Sequence, residues 1–354
     1  MFETTHNERQ HENSEPSSAH LRDLLALVPN VVSKLPKLEQ LVVNLNEQWR
    51  SDGPISYDPS YAVEANAEDV SKGEYRHGLT LQLSLLDQMR STIAGIFSKS
   101  GHKIEFLTYL RLTLPCAYDI SAIGASISDG VAMHLRDLYL EYIDGTGPGG
   151  DLSYLRSWRG GPAEGDENYP FSNLQRRFPN TAYMEGISSL VLRCQNLESL
   201  GLVCTQHLDC QYLEWQPLQK GLRSVYIHRA AITSENMIRL LSPSQGLSES
   251  CFPNIEAVYI DEVELMGGTW AAVFEHLLEC PSLTYLHLYN IVYSKHGTSA
   301  HMRTDNDRPY ENVTVMWTEN EDDEESLNKL VRKVVSGGGE VSDDMEDVKH
   351  DAMD

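Results

Sequence analysis

Three groups of residues have types and spacings that could do chemistry. Cys204, His207 and Cys210 stand in a C-x2-H-x2-C arrangement, with Cys194 nearby. Thiolates and imidazoles at such spacing can hold zinc. The spacing fixes no fourth ligand, however. Cys194 ends a helical stretch and Cys204 a strand-like one, positions where small apolar side chains pack. The expectation is core thiols beside a surface histidine, with no metal. Gly145-Thr146-Gly147-Pro148-Gly149-Gly150 matches G-x-G-x-x-G after a strand. A dinucleotide site needs a helix opening at the last glycine. Pro148 interrupts this loop, and the next helical stretch, Asp151 to Trp158, is short, so a flexible loop is expected. Thirteen histidines offer general bases, but no Ser, Cys or Asp stands in a nucleophile-elbow context. The chain is therefore not expected to be an enzyme, and no catalytic residue or cofactor is assigned.

The elements that would position a functional face repeat along the chain. An apolar-x-x-apolar-x-apolar pattern occurs seven times. It falls on Leu38, Leu41, Val43; Leu107, Leu110, Leu112; Leu135, Leu138, Leu140; and Leu197, Leu200, Leu202. It continues at Leu222, Val225, Ile227; Ile255, Val258, Ile260; and Leu283, Leu286, Leu288. Four of the six steps lie near one repeat length and two near twice that. In a strand, alternate side chains face opposite sides, so the fourth and sixth positions point together into a core. Helical stretches precede five of these strands: Leu85 to Phe97, Ile120 to Met133, Tyr183 to Cys194, Ser234 to Leu241 with Ser234 as N-cap, and Thr269 to Cys280. Val313 to Trp317 is a candidate eighth strand. One helix and one strand cannot close a core alone, but stacked units can. The expected class is α/β, with a curved parallel sheet and helices on its convex side.

The motifs LEQLVV, LTYLRL, LRDLYL, LESLGL, LRSVYI, IEAVYI and LTYLHL resemble a leucine-rich repeat over roughly residues 21–317. The Asn or Cys often found three residues after the last Leu is matched only by Asn46; elsewhere stand Pro115, Ile143, Thr205, Ala230, Val263 and Ile291. Such irregular repeats look like the F-box-associated leucine-rich repeat proteins common in fungi. Cys280-Pro281-Ser282-Leu283 is similar to that family's C-P-x-L lead-in to a strand, and Phe252-Pro253-Asn254-Ile255 and Leu35-Pro36-Lys37-Leu38 have the same shape. The resemblance implies a module that recruits substrates for a ubiquitin ligase. No F-box opening is found before Leu21, so an SCF adaptor is not an expected partner. An alternative resemblance, to acidic leucine-rich proteins, implies binding of a basic partner or regulation of a GTPase.

Charge and composition bound the rest. The net charge is −24, which disfavours nucleic acid and anionic membranes as partners. Residues 319–354 carry 13 acidic and 4 basic residues. The segment 318–354 is thus expected to be an acidic, largely disordered tail, with a short helix at Ser326 to Val335. Residues 1–20 are polar, without an apolar signal core, and are expected to be disordered. Cytoplasm or nucleus is the expected setting. Two insertions, 47–78 and 144–180, interrupt the repeats; the second is rich in aromatic and Arg residues of the kind interfaces use. On the strand face away from the core, Tyr recurs. We expect Arg111, Tyr139, Glu141, Tyr226, His228, Tyr259, Asp261, His287 and Tyr289 to form an exposed partner-binding surface, acting by burial and hydrogen bonds.

Overall fold

A computed structural model describes residues 26–35, 37–44, 83–100, 104–143, 174, 177–211, 213, 221–243, 254–289, 291–293, 318 and 320–342. Among the described residues nine strands form one parallel sheet: β1 (Gln40–Asn44), β2 (Tyr109–Leu114), β3 (Asp137–Tyr142), β4 (Ser199–Asp209), β5 (Ser224–Thr233), β6 (Ala257–Gly267), β7 (Tyr285–Tyr289), β8 (Val292–Tyr293) and β9 (Glu340–Ser342). Their spatial order is β1-β2-β3-β4-β5-β6-β7-β9, with β8 beside β6. The α/β class and the parallel sheet expected from the sequence are what the chain forms.

The pairing follows the hexapeptides residue by residue. Leu41, Leu110, Leu138, Leu200, Val225, Val258 and Leu286 lie opposite one another across seven strands. So do Val43, Leu112, Leu140, Leu202, Ile227, Ile260 and Leu288. From β2 to β7 both rows are buried. On β1, at the sheet edge, Leu41 and Val43 are only half-buried. A register slip of one residue would turn each row to the other face, so the apolar pattern itself fixes the alignment.

Among the helices whose bounds fall within the described residues, these connect or flank the strands: α1 (Leu83–Ser100), α2 (Ala117–Ile123), α3 (Asp129–His134), α4 (Met184–Arg193), α5 (Ser234–Leu241), α6 (Trp270–Leu278) and α7 (Glu321–Ser336). The strand order never reverses, and parallel crossovers share one hand, so the helices stack on one face of the sheet. Their apolar residues, among them Ile120, Leu190, Met237, Phe274 and Leu330, share one core with the inward strand rows. The helix expected over Ile120 to Met133 is broken: α2 ends at Ile123, a 3-10 turn follows at Gly124–Ser126, and α3 starts afresh with Ser128 as its N-cap. On α5 the N-cap is Thr233 rather than Ser234, since Thr233 Oγ1 accepts from Asn236 N at 3.2 Å.

In the C-terminal segment the helix expected over Ser326 to Val335 is present as part of α7, while the described residues around it correct the expectation of a largely disordered tail. There α7 begins inside the acidic run, five residues before Ser326, and β9 adds a strand against β7. Acidic residues in a first helical turn are favoured by the helix dipole. Leu330 and Val334 are buried in the main core. Asp323 is 0% exposed and accepts from Ala271 N (2.6 Å), Tyr293 Oη (2.5 Å) and Thr318 Oγ1 (2.7 Å). At the other end of α6, Lys333 Nζ donates to the carbonyls of Leu278 (2.8 Å) and Cys280. One helix thus places an anion at the start of α6 and a cation at its end, as the dipole of α6 favours. Val313 to Trp317 and the Gly145 loop lie outside the described residues. The insertion 47–78 and most of 144–180 do as well. No helix among the described residues is long and apolar enough to cross a membrane.

Candidate functional site

The face of the sheet opposite the helices carries two further rows. The first runs Val42, Arg111, Tyr139, Gly201, Tyr226, Tyr259 and His287 across β1 to β7. The second runs Asn44, Thr113, Glu141, Val203, His228, Asp261 and Tyr289. Parallel strands lie about 4.8 Å apart, so flat side chains at one register position stack. Tyr226 and Tyr259 stack with centroids 4.1 Å apart, and Tyr259 and His287 at 4.0 Å and only 4° from parallel. Gly201 leaves room for a ring from the next strand: a Cβ there would stand 2.3 Å from Tyr139 Cδ1. Tyr139 leans across this gap and shares hydrogen bonds with Ser199 and Ser224.

A polar group sits at the β2–β3 end. Arg111 Nη2 meets Glu141 Oε1 at 2.6 Å, and Thr113 Oγ1 donates to Glu141 Oε2 at 2.9 Å. Arg111 also lies near the Tyr109 hydroxyl. Tyr109 packs on Tyr139 with centroids 5.6 Å apart.

The nine expected contact residues all lie on this face, but they divide in two. Arg111, Tyr139, Glu141, Tyr226 and Tyr289 are half-buried. His228, Tyr259, Asp261 and His287 are buried, at 3%, 3%, 1% and 0% exposure. The expectation that His228 and His287 are exposed is therefore corrected. Position in a strand decides which side a residue faces, but not how far the rest of the chain covers it. Burial pushes the Tyr226 hydroxyl up to about 12 and raises that of Tyr259 further.

Beyond His228 and Asp261 the strands change character. Arg229 (φ 59°) and Glu262 (φ 51°) both adopt the left-handed conformation. Side chains other than glycine rarely do so, and each costs about 1–3 kcal/mol. They lie between the pairs His228↔Asp261 and Ala230↔Val263. One extra residue in each strand reverses the alternation, so the inward residues become Ala230 and Ile232 on β5 and Val263 and Leu265 on β6. Arg229 Nε is bound to Glu262 Oε2. The carboxyl of Asp261 is pushed up to about 7 by burial and by the charge of Glu262, with Arg229 acting against both. Tyr259 Oη donates to Asp261 Oδ2 at 3.5 Å. Sequence reasoning missed Glu262 and Arg229, because the strict alternation that located the face ends at them. It also missed Tyr109, Ser199 and Ser224, which the same alternation locates one step earlier in each hexapeptide.

The cysteine cluster lies in the core. Cys194, Cys204 and Cys210 are buried, and burial pushes the Cys194 thiol up to about 12 and raises that of Cys210. Protonated thiols are poor metal ligands. The side chain of His207 lies outside the described residues. No protein-family model matches the chain, and no curated protein matches it.

Proposed function

We propose that the chain is a non-catalytic leucine-rich-repeat solenoid that binds another protein on the strand face. The observation that carries this reading is the strand face on which Arg111, Tyr139, Glu141, Tyr226 and Tyr289 are half-buried, beside an aromatic stack whose buried members are Tyr259 and His287. Aromatic residues and arginine dominate interface energetics because they bury large areas at little entropic cost. Stacking beside them fixes their positions before binding, which lowers the ordering cost further. The register of seven hexapeptides supports the repeat reading. At the position three beyond the last apolar residue, buried Ala230, Val263 and Ile291 take the place of an asparagine ladder. In the manner of the F-box relatives, the bound protein would be a recruited substrate. Buried protonated thiols suit the reducing cytoplasm or nucleus.

The rival reading, an acidic tail that captures a basic partner, loses part of its anionic run. Asp323 is committed to α6, and α7 packs into the core. The discriminating experiment is affinity capture with two variants of the full chain. Arg111→Glu combined with Tyr226→Ala should lose the retained protein while keeping the native circular dichroism. Arg239→Glu, on the helix side, should keep it. Equal recovery by the strand-face variant would reject the proposed surface.

A further inference from the structure

Asp261 is 1% exposed, and its Oδ1 has no hydrogen-bond partner among the described residues. A buried polar atom left unpaired costs about 1–3 kcal/mol, and more when charged. Native folds seldom keep such an atom without a water or an ion to satisfy it. Two other ligand groups converge on this carboxylate. His228 Nε2 is 3.5 Å from Asp261 Oδ2. One ligand atom from each of His228, Asp261 and Glu262 lies within 4.8 Å of the others. Two ligands about 2.0–2.2 Å from a zinc ion, at a tetrahedral angle, are roughly 3.4 Å apart. The His228–Asp261 separation matches that edge.

The backbone explains how two successive residues can share one site. Neighbours in an extended strand point to opposite faces. If Glu262 followed that rule, it would enter the core behind Asp261. Its left-handed conformation instead brings its carboxylate to the outer side, beside Asp261. The strain at Glu262 thus has a consequence in ligand geometry. Arg229 binds Glu262 through Oε2; such outer partners orient metal ligands. The two carboxylates outweigh Arg229 by one negative charge. The Glu262 side chain, 31% exposed, leaves a path to solvent.

We propose that His228, Asp261 and Glu262 form a binding site for a divalent cation of the zinc class, with a fourth position open. One imidazole and two carboxylates suit zinc or a neighbouring transition ion. Calcium takes six to eight oxygens, which these residues do not supply. The inference does not depend on the protein-binding proposal, since it rests on different residues and a different readout.

The test uses the full chain after treatment with a chelator, in mildly alkaline buffer where the ligands are deprotonated. Zinc is titrated by calorimetry, and thermal unfolding is followed with and without zinc. The expected result is one equivalent bound at a site that raises the melting temperature. Glu262→Gln and His228→Gln should each weaken binding at least about tenfold. Glu262→Gln is the safer variant, because its side chain is partly exposed and its substitution leaves the core intact. With cobalt in place of zinc, the visible bands should lack thiolate charge transfer. Absence of binding would overturn the proposal. So would binding unchanged in both variants, or a thiolate band in the cobalt spectrum, which would place the metal on cysteines.

Discussion

Replacing Asp323 by alanine is expected to lower stability by about 2–4 kcal/mol, and ending the chain at residue 318 to unfold its last units. Asp323 is one acid within a run of five, Glu321 to Glu325. It alone is fully buried, and three donors converge on it, including the backbone N–H of Ala271. Alanine would leave that N–H and the Tyr293 hydroxyl without their acceptor. Tyr293 in turn accepts from Trp270 N at 2.9 Å, so the loss spreads to the start of α6. Truncation does more. It removes the buried Leu330 and Val334, each worth about 1.5–3 kcal/mol. It also bares the side of α6 against which α7 packs, and uncovers the β7 edge that β9 pairs. Urea unfolding gives the size of the effect, and hydrogen exchange should show it concentrated in α6 and β7. Alanine at the neighbouring Asp322, an exposed residue, should change stability by less than about 0.5 kcal/mol. Equal effects at 322 and 323 would contradict the buried network.

Replacing Arg90 by alanine should cost about 3–5 kcal/mol. Arg90, on α1, donates from Nε to Asp119 Oδ1 at 2.5 Å, and both side chains are under 10% exposed. Its guanidinium lies 4.5 Å from the Tyr118 ring centre and 5.0 Å from that of Phe178. Asp119 cannot turn to water when Arg90 goes, because its Oδ2 is engaged by Cys116 N (2.8 Å) at the start of α2. Burial already holds Asp119 above the usual carboxylate range, with Arg90 acting against that rise. Arg90 therefore stabilises the ionised form, and its contribution fades as the pH falls and Asp119 protonates. The deficit of the Arg90→Ala variant should narrow toward acid. A double variant, Arg90→Met with Asp119→Asn, keeps an acceptor for Cys116 and buries no charge. It should be more stable than the single variant; a further loss instead would show that the ion pair is not the source of the effect.

Much of this architecture was written in the alternation of apolar residues. The hexapeptides named the inward rows, and the rows pair in register from Leu41 to Leu286 because any slip would expose them. The same alternation located the outer face and all nine of its expected contact residues. What it could not give was exposure across strands. Tyr259 is stacked between Tyr226 and His287, on neighbouring strands more than 25 residues away in sequence, and a local period carries no record of them. The double bulge at Arg229 and Glu262 was hidden for a related reason. Neither residue type favours a left-handed backbone, so no local signal marks the place where the period reverses. In the C-terminal segment apolar spacing located a helix at Ser326 to Val335, inside α7, but composition misled about the residues around it. Low hydropathy and high charge argued for disorder, yet Leu330 and Val334 lie four apart on one helix face, and a single acid in the run is buried. Average composition cannot separate that acid from its four neighbours.

The central claim is that the strand face is the binding surface. Hydroxyl-radical footprinting of the full chain, alone and with its captured partner, tests it most directly by reading side-chain access at each position. The account predicts that Tyr139, Tyr226 and Tyr289 lose labelling in the complex, while Met133, exposed on the helix side, keeps it. Protection at Met133 with the three tyrosines unchanged would contradict the account.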